Sequence, residues 1–435
     1  MTGSRRGPID ATAPGGLHEL RVVRALKLVG GGVALAHADG ETWMVRGGLP
    51  GELLRARPTR RRARVVEAVA EAVVADPHPA RLADPCPHAP ACGGCDWPHV
   101  DPEAGAALKA GVAAEAAARG SRLAERLRAA PVTASPPAYR LRSRLHWDPA
   151  AGRLGFFGHR SREVAPISGC RVITPSLALR LEALTSALAG SCPAPMDVEW
   201  LEGHDAVVAG LRPPPGGTKP PEATWLPPPS EALGLDGWHC LDATGTVLAG
   251  WGRDHVHIDL PIRLEVPIGS FFQGNRHLAP WLFDRLASLI GPGDEPLYDL
   301  HAGVGLIAAA GRHAGRHELS LVEPQPASAD AARRNLPGAR VVTATAEDLV
   351  ADEASLPPSA VVATDPPRTG MSPFLRDRLA AWRPRRLVML GCDPATWSRD
   401  AAFLLERGFS LEHLELVDLF PSTHHVEVLA VLEAR

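Results

Sequence analysis

The sequence lacks any long apolar segment. No run of 18 consecutive apolar residues occurs among its 435 residues, and the first 16 residues contain no apolar core of the kind found in signal peptides. We therefore expect no transmembrane helix and no secretory signal. Lysine is also scarce: only Lys27, Lys109 and Lys219 are present, so arginine supplies nearly all the basic charge. We attribute this to coding bias rather than to function.

Cysteine is too sparse and too unevenly spaced for a disulfide framework. There are seven cysteines, an odd number, in a chain with 45% hydrophobic and 22% charged residues, a composition typical of soluble globular proteins. Together these features predict a cytoplasmic protein with no membrane association, and we expect a monomer. The length suggests two to four domains.

The net charge of −3 argues against a uniformly basic nucleic-acid-binding protein, but the charge is unevenly distributed. Residues 1–75 carry twelve Arg and Lys against seven Asp and Glu. Short strand-like segments with glycine turns surround an arginine-rich stretch. It contains Arg55, Arg57, Arg60, Arg61, Arg62 and Arg64. A charge run on its own is equally consistent with a solvated face and with a surface that binds a polyanion.

Three cysteines lie close together in a Pro/Gly-rich loop: Cys86, Cys92 and Cys95, spaced C-x5-C-x2-C. Such a group of thiols in an intracellular chain favours a metal site. Zinc would need a nearby fourth ligand, for which His88 and His99 are candidates. Two further cysteines, Cys192 and Cys240, match no motif and are expected to be ordinary buried thiols.

Between the cysteine loop and residue 265 the sequence predicts a β-rich domain. The alanine-rich stretch 101–128 reads as one helix or two. A strand then alternates arginines with apolar residues, so Arg140, Arg142 and Arg144 are predicted to face a phosphate backbone. The proline-rich stretch 212–231 is predicted to be an exposed loop or insertion.

The last third of the chain alternates predicted strands and helices. A buried strand runs into the turn Gly391-Cys392-Asp393-Pro394, which opens a helix. A cysteine in this place is often simply core, but the positive end of a helix would lower its pKa and favour the thiolate. Strands are predicted at 297–300, 319–323, 341–344, 360–364, 386–390, 411–419 and 426–433, with the last two antiparallel.

Two other stretches support a ligand site at the ends of these strands. The first is a strand followed by a turn containing Gly303 and Gly305, a helix and a second strand ending in Glu323, the layout of an adenosine-type cofactor site. The second is a strand ending in Asp365-Pro-Pro-Arg368. We therefore predict an α/β doubly wound sheet.

Four motifs together resemble the S-adenosylmethionine-dependent RNA 5-methyluridine methyltransferase family. They are Asp365-Pro-Pro-Arg368, Cys392-x-Pro394, Phe420-Pro-x-Thr-x-His425-Val-Glu427 and Phe271-Phe-Gln273-x-Asn275. The resemblance implies a class I (Rossmann-like) methyltransferase domain at 266–435, preceded by a central β-rich iron–sulfur domain at 76–265. Residues 1–75 resemble the TRAM module, an OB-type β-barrel that binds RNA.

The resemblance also assigns roles to residues. Cys392 would be the nucleophile and Glu427 the base that removes the carbon-5 proton. Asp365 and Gln273 would line the reaction pocket, and Glu323 would hold the ribose of S-adenosylmethionine. The remaining cofactor positions correspond to His301, Gly303 and Gly305. Cys170 would join the three clustered thiols as the fourth ligand of a [4Fe–4S] cluster.

The sequence departs from the family pattern at two places. Asp393 stands where the family usually has Asn, which would put a like charge near the thiolate and raise its pKa. The cofactor turn reads Asp299-Leu-His301-Ala302-Gly303 in place of Asp-Leu-Tyr-Cys-Gly. Because both glycines are kept, we expect cofactor binding to be kept.

Several alternatives remain open at this stage. The substrate is expected to be RNA, with ribosomal RNA favoured over transfer RNA because of the cysteine loop and the basic N-terminal segment. A pyrimidine other than uracil, such as cytosine, is a further acceptor. A non-catalytic RNA-binding or assembly protein that retains the fold is the alternative from another functional class.

Overall fold

The computed structural model describes residues 19–118, 120–217, 219–352, 357 and 359–435. Two compact units divide the chain after Arg81. The first contains a six-stranded sheet in the order β1-β5-β6-β4-β3-β2. Its strands are β1 (Arg21–Arg24), β2 (Lys27–Val29), β3 (Val33–Ala38), β4 (Glu41–Arg46), β5 (Leu53–Arg62) and β6 (Val65–Ala75). The Leu26 amide donates to the Leu35 carbonyl (2.7 Å), which brings the chain beyond β1 back to β3.

A buried carboxylate fixes the turn before β5. Glu52 is fully buried and accepts hydrogen bonds from the Leu49 amide (2.7 Å) and from Arg81 Nε (2.6 Å). Burial by itself would raise the Glu52 pKa, but these donors lower it below its usual value. The pair extends this unit to Arg81, six residues beyond the predicted boundary at 75.

The second unit contains the remaining strands and all the α-helices of the described residues. Its strands are β7 (Val132–Thr133), β8 (Arg142–Asp148), β9 (Arg153–Phe157), β10 (Val164–Ala165), β11 (Met196–Glu202), β12 (Val207–Arg212), β13 (Gly237–Leu241), β14 (Val247–Gly252), β15 (His255–Ile258), β16 (Leu264–Pro267), β17 (Leu297–Asp299), β18 (Leu319–Val322), β19 (Arg340–Val342), β20 (Val361–Thr364), β21 (Arg386–Gly391), β22 (Phe409–Val417) and β23 (Glu427–Ala434). Its helices are α1 (Pro102–Ala116), α2 (Arg122–Ala129), α3 (Pro175–Ser191), α4 (Ala279–Ile290), α5 (Leu306–His313), α6 (Pro326–Asn335), α7 (Ala346–Asp352), α8 (Pro373–Trp382) and α9 (Pro394–Leu405).

The large sheet confirms the predicted α/β architecture. Its order is β19-β18-β17-β20-β21-β23-β22-β7, with β17 to β21 parallel and β23 antiparallel to both of its neighbours. All seven predicted strands are present with ends within two residues of the prediction. The chain moves outward in one direction from β17 to β19 and in the other from β20. The carboxyl ends of β17 and β20 therefore form the switch point where such sheets bind ligands.

Residues 102–133 belong to this sheet, a placement that the expected boundaries at 76–265 and 266–435 do not describe. Strand β7 pairs with β22 at the sheet edge. Helices α1 and α2 share a buried apolar cluster with the sheet, to which Ala113, Leu127, Leu414 and Leu432 contribute. The sequence shows apolar helices here, but it does not show which sheet covers them.

The central β-rich region is a seven-stranded sheet in the order β10-β9-β8-β11-β12-β13-β14, covered by α3. Its core includes Trp147, Trp200, Trp238 and Cys192. Cys192 and Cys240 are both buried, as the sequence predicted. The proline-rich stretch contains no strand or α-helix in its described residues, as predicted. It is not wholly exposed, because Trp225 packs into this core at 7% exposure.

Three arginines of the central sheet converge on one buried carboxylate. Arg142 (3.2 Å), Arg144 (2.9 Å) and Arg212 (2.5 Å) all contact Glu199, whose side chain is 1% exposed. Burial by itself would raise the pKa of Glu199, but the guanidinium groups lower it to about 2. The sequence predicted that Arg140, Arg142 and Arg144 face a phosphate backbone. In the structure Arg142 and Arg144 pair with Glu199, and Arg140 lies over the rings of Tyr139 and Phe156.

We predict that Glu199→Gln lowers the free energy of unfolding by about 3 kcal/mol at neutral pH, because the pKa difference from an unfolded glutamate is worth that much. The folded-state pKa is depressed, so this contribution is present above about pH 4.5 and is lost as the pH falls towards 2. Urea denaturation of variant and wild type across this range measures the difference.

Asp330→Asn is the matched control, since Asp330 forms an exposed ion pair with Arg333. We expect it to change the unfolding free energy by less than about 1 kcal/mol. An equally small effect of Glu199→Gln would contradict the role assigned to the buried carboxylate.

Candidate active site

The register of the last strand brings Cys392 and Glu427 together. Gly391, at the end of β21, pairs with Val428 in β23, so Cys392 and Glu427, the next residue on each side, lie just beyond this last pair. Because β23 runs antiparallel, its first residue lies at the same sheet edge as the carboxyl ends of the parallel strands. Asp365 follows β20 at that edge. A nucleophile candidate and two carboxyl groups thus meet there.

These side chains line a cavity of about 340 Å³, which we call the Cys392 cavity. Gln273 enters it from the loop after β16, and its Nε2 donates to Asp365 Oδ2 (3.0 Å). The cavity is lined by Phe271, Gln273, Asp365, Pro366, Pro367, Arg368, Cys392, Phe420, His425 and Glu427. All four sequence motifs therefore contribute to one cavity.

The Cys392 thiol is protonated in this environment. Burial raises its pKa to about 11, and the carboxyl groups of Glu427 and Asp365 add to this shift while Arg368 opposes it. The expectation that the start of the helix would lower the pKa was therefore wrong. Asp393 is not the cause either, since its Oδ1 caps α9 by accepting from the Ala395 and Thr396 amides (both 2.9 Å).

Both carboxyl groups in the cavity are poor acids. Burial raises the pKa of Asp365 to about 6, partly offset by the hydrogen bond from Gln273. Burial also raises the pKa of Glu427 well above its usual range, and Asp365 raises it further. Glu427 is 2% exposed, and its Oε2 has no hydrogen-bond partner among the described residues. A buried polar atom without a partner is costly unless a ligand satisfies it.

A second cavity of about 600 Å³ adjoins the first and shares Phe271, Asp365 and Pro367 with it. We call it the Glu323 cavity. Glu323 is oriented by two backbone amides, since its Oε2 accepts from Gly303 and its Oε1 from Gln325 (both 2.9 Å). Gly303 (φ 53°) and Gly305 (φ 95°) both have positive φ in this turn, which glycine adopts without strain.

His301 also lines the Glu323 cavity and is neutral at physiological pH. Burial lowers its pKa to about 4, and its Nδ1 lies 2.9 Å from Thr364 Oγ1. Of the six predicted cofactor residues, Gly305 belongs only to the adjoining turn, the Gly303 amide bonds to Glu323, and His301, Glu323 and Asp365 line this cavity. Gln273 does not: it faces the Cys392 cavity and meets the Glu323 cavity only through Asp365.

The sequence interpretation missed two groups of site residues. Thr345 and Glu347 line the Glu323 cavity just after β19. The sequence could have indicated them, because they follow β19, a third parallel strand whose carboxyl end lies at the ligand-binding edge of the sheet. Lys109, one of three lysines in an arginine-rich chain, is 1% exposed in α1. Its Nζ donates to Asp418 Oδ1 (2.5 Å) and to the carbonyls of Phe420 (3.0 Å) and His425 (2.7 Å), so it holds the segment before Glu427.

The four predicted metal thiols lie within electrostatic reach of one another. Burial raises the pKa of Cys92, and Cys170 and Cys86 raise it further; the pKa of Cys95 is raised to about 12, first by burial. His88 Nε2 lies 2.5 Å from the Ser168 carbonyl and so joins the two cysteine-bearing loops. Cys92 and Cys95, whose charged forms are disfavoured by burial, lie near Cys86 and Cys170, and such a group of thiols suits a cationic centre that binds thiolates.

Comparison with known proteins identifies the family. The chain is 30% identical over 431 residues to the 23S rRNA (uracil(1939)-C(5))-methyltransferase RlmD of Pseudomonas putida, covering 94% of this chain and 92% of the relative. The chain belongs to the S-adenosylmethionine-dependent RNA 5-methyluridine methyltransferase family. An uncharacterized RNA methyltransferase of Streptomyces avermitilis is also 30% identical, over 93% of this chain and 94% of its own. No protein-family model matches.

A solved structure supports the fold assignment. The tRNA (uracil-54, C5)-methyltransferase of Pyrococcus abyssi, in complex with S-adenosyl-L-homocysteine, superposes with a TM-score of 0.71 at 20% identity. The superposition covers 95% of this chain and 100% of that one. Family membership makes the protein a methyltransferase, and its large sheet has the class I form. None of its described helices is both long and apolar enough to cross a membrane.

We predict that alkylation of Cys392 by iodoacetamide accelerates about tenfold per pH unit between pH 7 and 9 without reaching a plateau, because the thiolate fraction follows a pKa near 11. Glu427→Gln removes a negative neighbour, so it should lower this pKa and speed alkylation at each pH. Mass spectrometry of the Cys392 peptide gives the rates, and the buried Cys240 serves as an internal reference. A plateau near pH 7 would contradict the raised pKa.

Proposed function

We propose that the protein transfers a methyl group from S-adenosylmethionine to carbon 5 of a uridine in RNA, and that the RNA is 23S ribosomal RNA. The observation that carries the proposal is the pairing of Cys392 with Glu427 in one cavity, next to the cavity that contains Glu323. The roles assigned to both residues follow from this pairing and from the family motifs.

The first step is the addition of the cysteine to the base. Carbon 5 of uracil is too weak a nucleophile to take a methyl group directly. The Cys392 thiol therefore gives up its proton, and the thiolate forms a bond to carbon 6 while the ring electrons move to the carbon-4 oxygen. With a pKa of about 11, the thiol needs a proton acceptor, and the Asp365 and Glu427 carboxyl groups are both within the cavity.

The second step uses the enolate that this addition creates, in which carbon 5 is nucleophilic enough to take a methyl group. S-adenosylmethionine, when bound, supplies an electrophilic methyl group. The Glu323 cavity fits it: Glu323 offers carboxylate oxygens to ribose hydroxyls, and the glycine turn allows close approach of the backbone. After methylation, Glu427 takes the carbon-5 proton, the double bond re-forms and the Cys392 thiolate leaves. The raised pKa of Glu427 makes it a stronger base than an ordinary carboxylate.

The reaction requires a uracil that is accessible from both ring edges. Such a base comes from a loop or is flipped out of its stack. Phe271 stands 55% exposed where the two cavities meet, so an aromatic surface is available to a base that enters. The RlmD relatives act on 23S rRNA by name, and this favours ribosomal RNA as the substrate.

We propose that the N-terminal unit is the TRAM-like OB-type barrel expected from the sequence and that it contacts RNA. Its arginine-rich strand β5 and the turn after it are partly neutralised, since Arg57 pairs with Glu71 (2.7 Å) and Arg61 with Glu41 (2.5 Å). Exposed arginines remain along the same strand and turn. These are Arg55, Arg62 and Arg64.

The two catalytic roles predict failures on opposite sides of the covalent intermediate. Cys392→Ala should abolish both methyl transfer and any protein–RNA adduct. Glu427→Gln should still permit attack and methylation but stall release, so a denaturant-stable adduct that carries the methyl group accumulates. Denaturing gels with radiolabelled methyl donor and unmodified 23S rRNA fragments separate these outcomes.

An unmodified transfer RNA transcript is the comparison substrate for this experiment. Preferential methylation of the transfer RNA would change the proposed substrate from ribosomal to transfer RNA, while the proposed reaction would stand. RNA binding without turnover by wild-type protein would instead establish a non-catalytic RNA-binding role. Normal turnover by Glu427→Gln would contradict the assignment of Glu427 as the general base that removes the carbon-5 proton.

We further propose that Cys86, Cys92, Cys95 and Cys170 hold a [4Fe–4S] cluster. An all-thiol donor set with four neighbouring sulfurs supports iron–sulfur binding, and zinc is the other metal such a set binds. His88 is a poor zinc ligand, since its Nε2 is directed at the Ser168 carbonyl. The cluster would tie the 86–95 loop to the loop that bears Cys170.

Protein purified without oxygen should be brown, with about four irons per chain. Cys170→Ala should lose the iron and its visible absorbance while retaining S-adenosylmethionine affinity, because the Glu323 cavity does not include the thiols. Cys240→Ala is the matched control, since it removes a buried cysteine outside the thiol group and should keep the iron. Colourless protein with one zinc per chain would overturn the proposal.

A further inference from the structure

The loop that carries the clustered cysteines directly contacts the segment that leads into Glu427. We call residues 86–99 the thiol loop and residues 420–427 the motif segment. The two are more than three hundred residues apart in the sequence. Neither family motif nor spacing predicts that they touch, but two residues that follow Cys95 bond to the motif segment.

Three hydrogen bonds make the contact: two between His424 and Asp96, and one between backbone groups. His424 Nδ1 lies 2.6 Å from Asp96 Oδ2, so the imidazole donates to the carboxylate. The His424 amide approaches the same oxygen at 3.4 Å. One residue further along the thiol loop, the Trp97 amide donates to the Ser422 carbonyl (2.9 Å).

The motif segment needs such support because it has little regular structure of its own. It crosses from β22 to β23, and Ser422 has a positive φ of 64°, which is unfavourable for a residue other than glycine. Lys109 holds the carbonyls of Phe420 and His425 from one side. Asp96 and Trp97 hold the residues between them from the thiol loop.

The held residues are next to the reacting groups. The rings of His424 and His425 are 4.2 Å apart between centroids, and His425 lines the Cys392 cavity. Glu427 follows two residues later at the start of β23. A displacement of His424 would therefore move one wall of the cavity and change the entry of the chain into Glu427.

We propose that Asp96 and His424 are positioning residues for methyl transfer: their contact makes the thiol loop a support for the catalytic segment. The inference rests on the proposed function for its catalytic consequence, but the mechanical link does not depend on the identity of the RNA. Neither residue touches the reacting atoms, so the effect is expected on the rate of chemistry rather than on RNA binding.

The test compares Asp96→Ala with Asp254→Ala in the full-length protein. Asp254 is a matched control because its Oδ1 forms an aspartate–histidine pair with His255 Nδ1 of similar length (2.8 Å), away from both cavities. Asp96→Ala should lower kcat by about ten- to a hundredfold with KM for RNA nearly unchanged. It should also speed amide hydrogen exchange within residues 420–427, while iron content stays at the wild-type level. Asp254→Ala should match wild type in all four measurements.

Two further variants separate the contact from general damage. Asp96→Asn keeps an oxygen acceptor for His424 Nδ1 and should recover most of the rate lost in Asp96→Ala. The double variant Asp96→Ala/His424→Ala should be no slower than the worse single variant, because both remove the same contact. Multiplied losses in the double variant would mean that the two residues act separately.

The outcomes distinguish this inference from the proposed function. Wild-type kcat and wild-type exchange in Asp96→Ala would overturn the inference while the methyl-transfer function stands. Absence of methyl transfer by wild-type protein would overturn the proposed function, and with it the catalytic half of the inference. In that case exchange within residues 420–427 still decides whether Asp96 holds the segment.

Discussion

The reactive edge of the molecule depends on one strand pairing. Strand β23 lies antiparallel between β21 and β22, with Gly391 opposite Val428. This pairing reverses the direction of the last strand, so its first residue, Glu427, meets the carboxyl end of β21 and the cysteine that follows it. A shift of the register by one residue would turn Glu427 to the other face of the sheet. Both strands are buried almost throughout.

Buried charge is concentrated where geometry must be fixed. Lys109 and Asp418 are each 1% exposed and hold the segment before Glu427, and Glu52 and Glu199 organise the two β-rich sheets in the same manner. Such groups are expensive to desolvate, so a buried pair adds little stability relative to apolar residues of the same shape, although removal of one partner is strongly destabilising. What they add is a unique arrangement, since any displacement leaves a charge unpaired in the interior. The Cys392 cavity uses the same environment differently, because there burial keeps the cysteine and both carboxyl groups protonated more readily than in water.

Much of the fold and of the site was predictable from the sequence, for identifiable reasons. Strands β17, β18, β20 and β21 are short apolar runs that end at or beside an acidic residue or glycine, and residues at those ends, such as Glu323, Asp365 and Cys392, line the cavities. Long-range charge contacts were not predictable. The convergence of three arginines on Glu199, the role of Lys109 and the pairing of Asp96 with His424 depend on tertiary proximity that no local pattern encodes. For the Cys392 pKa the sequence showed two opposing influences, the helix terminus and Asp393, but not the burial that raises it.

The position of residues 102–133 has a consequence for how the chain can be divided. The edge strand β7 and the helices α1 and α2 complete the large sheet, yet they precede the central sheet in the sequence. The central sheet is thus an insertion into the methyltransferase domain, which is assembled from two separate stretches of chain. A fragment that began at residue 266 would expose the apolar face that α1 and α2 cover and would lose Lys109 from beneath the motif segment. No single cut of the backbone separates the methyltransferase domain from the central sheet, so the two must be expressed as one piece.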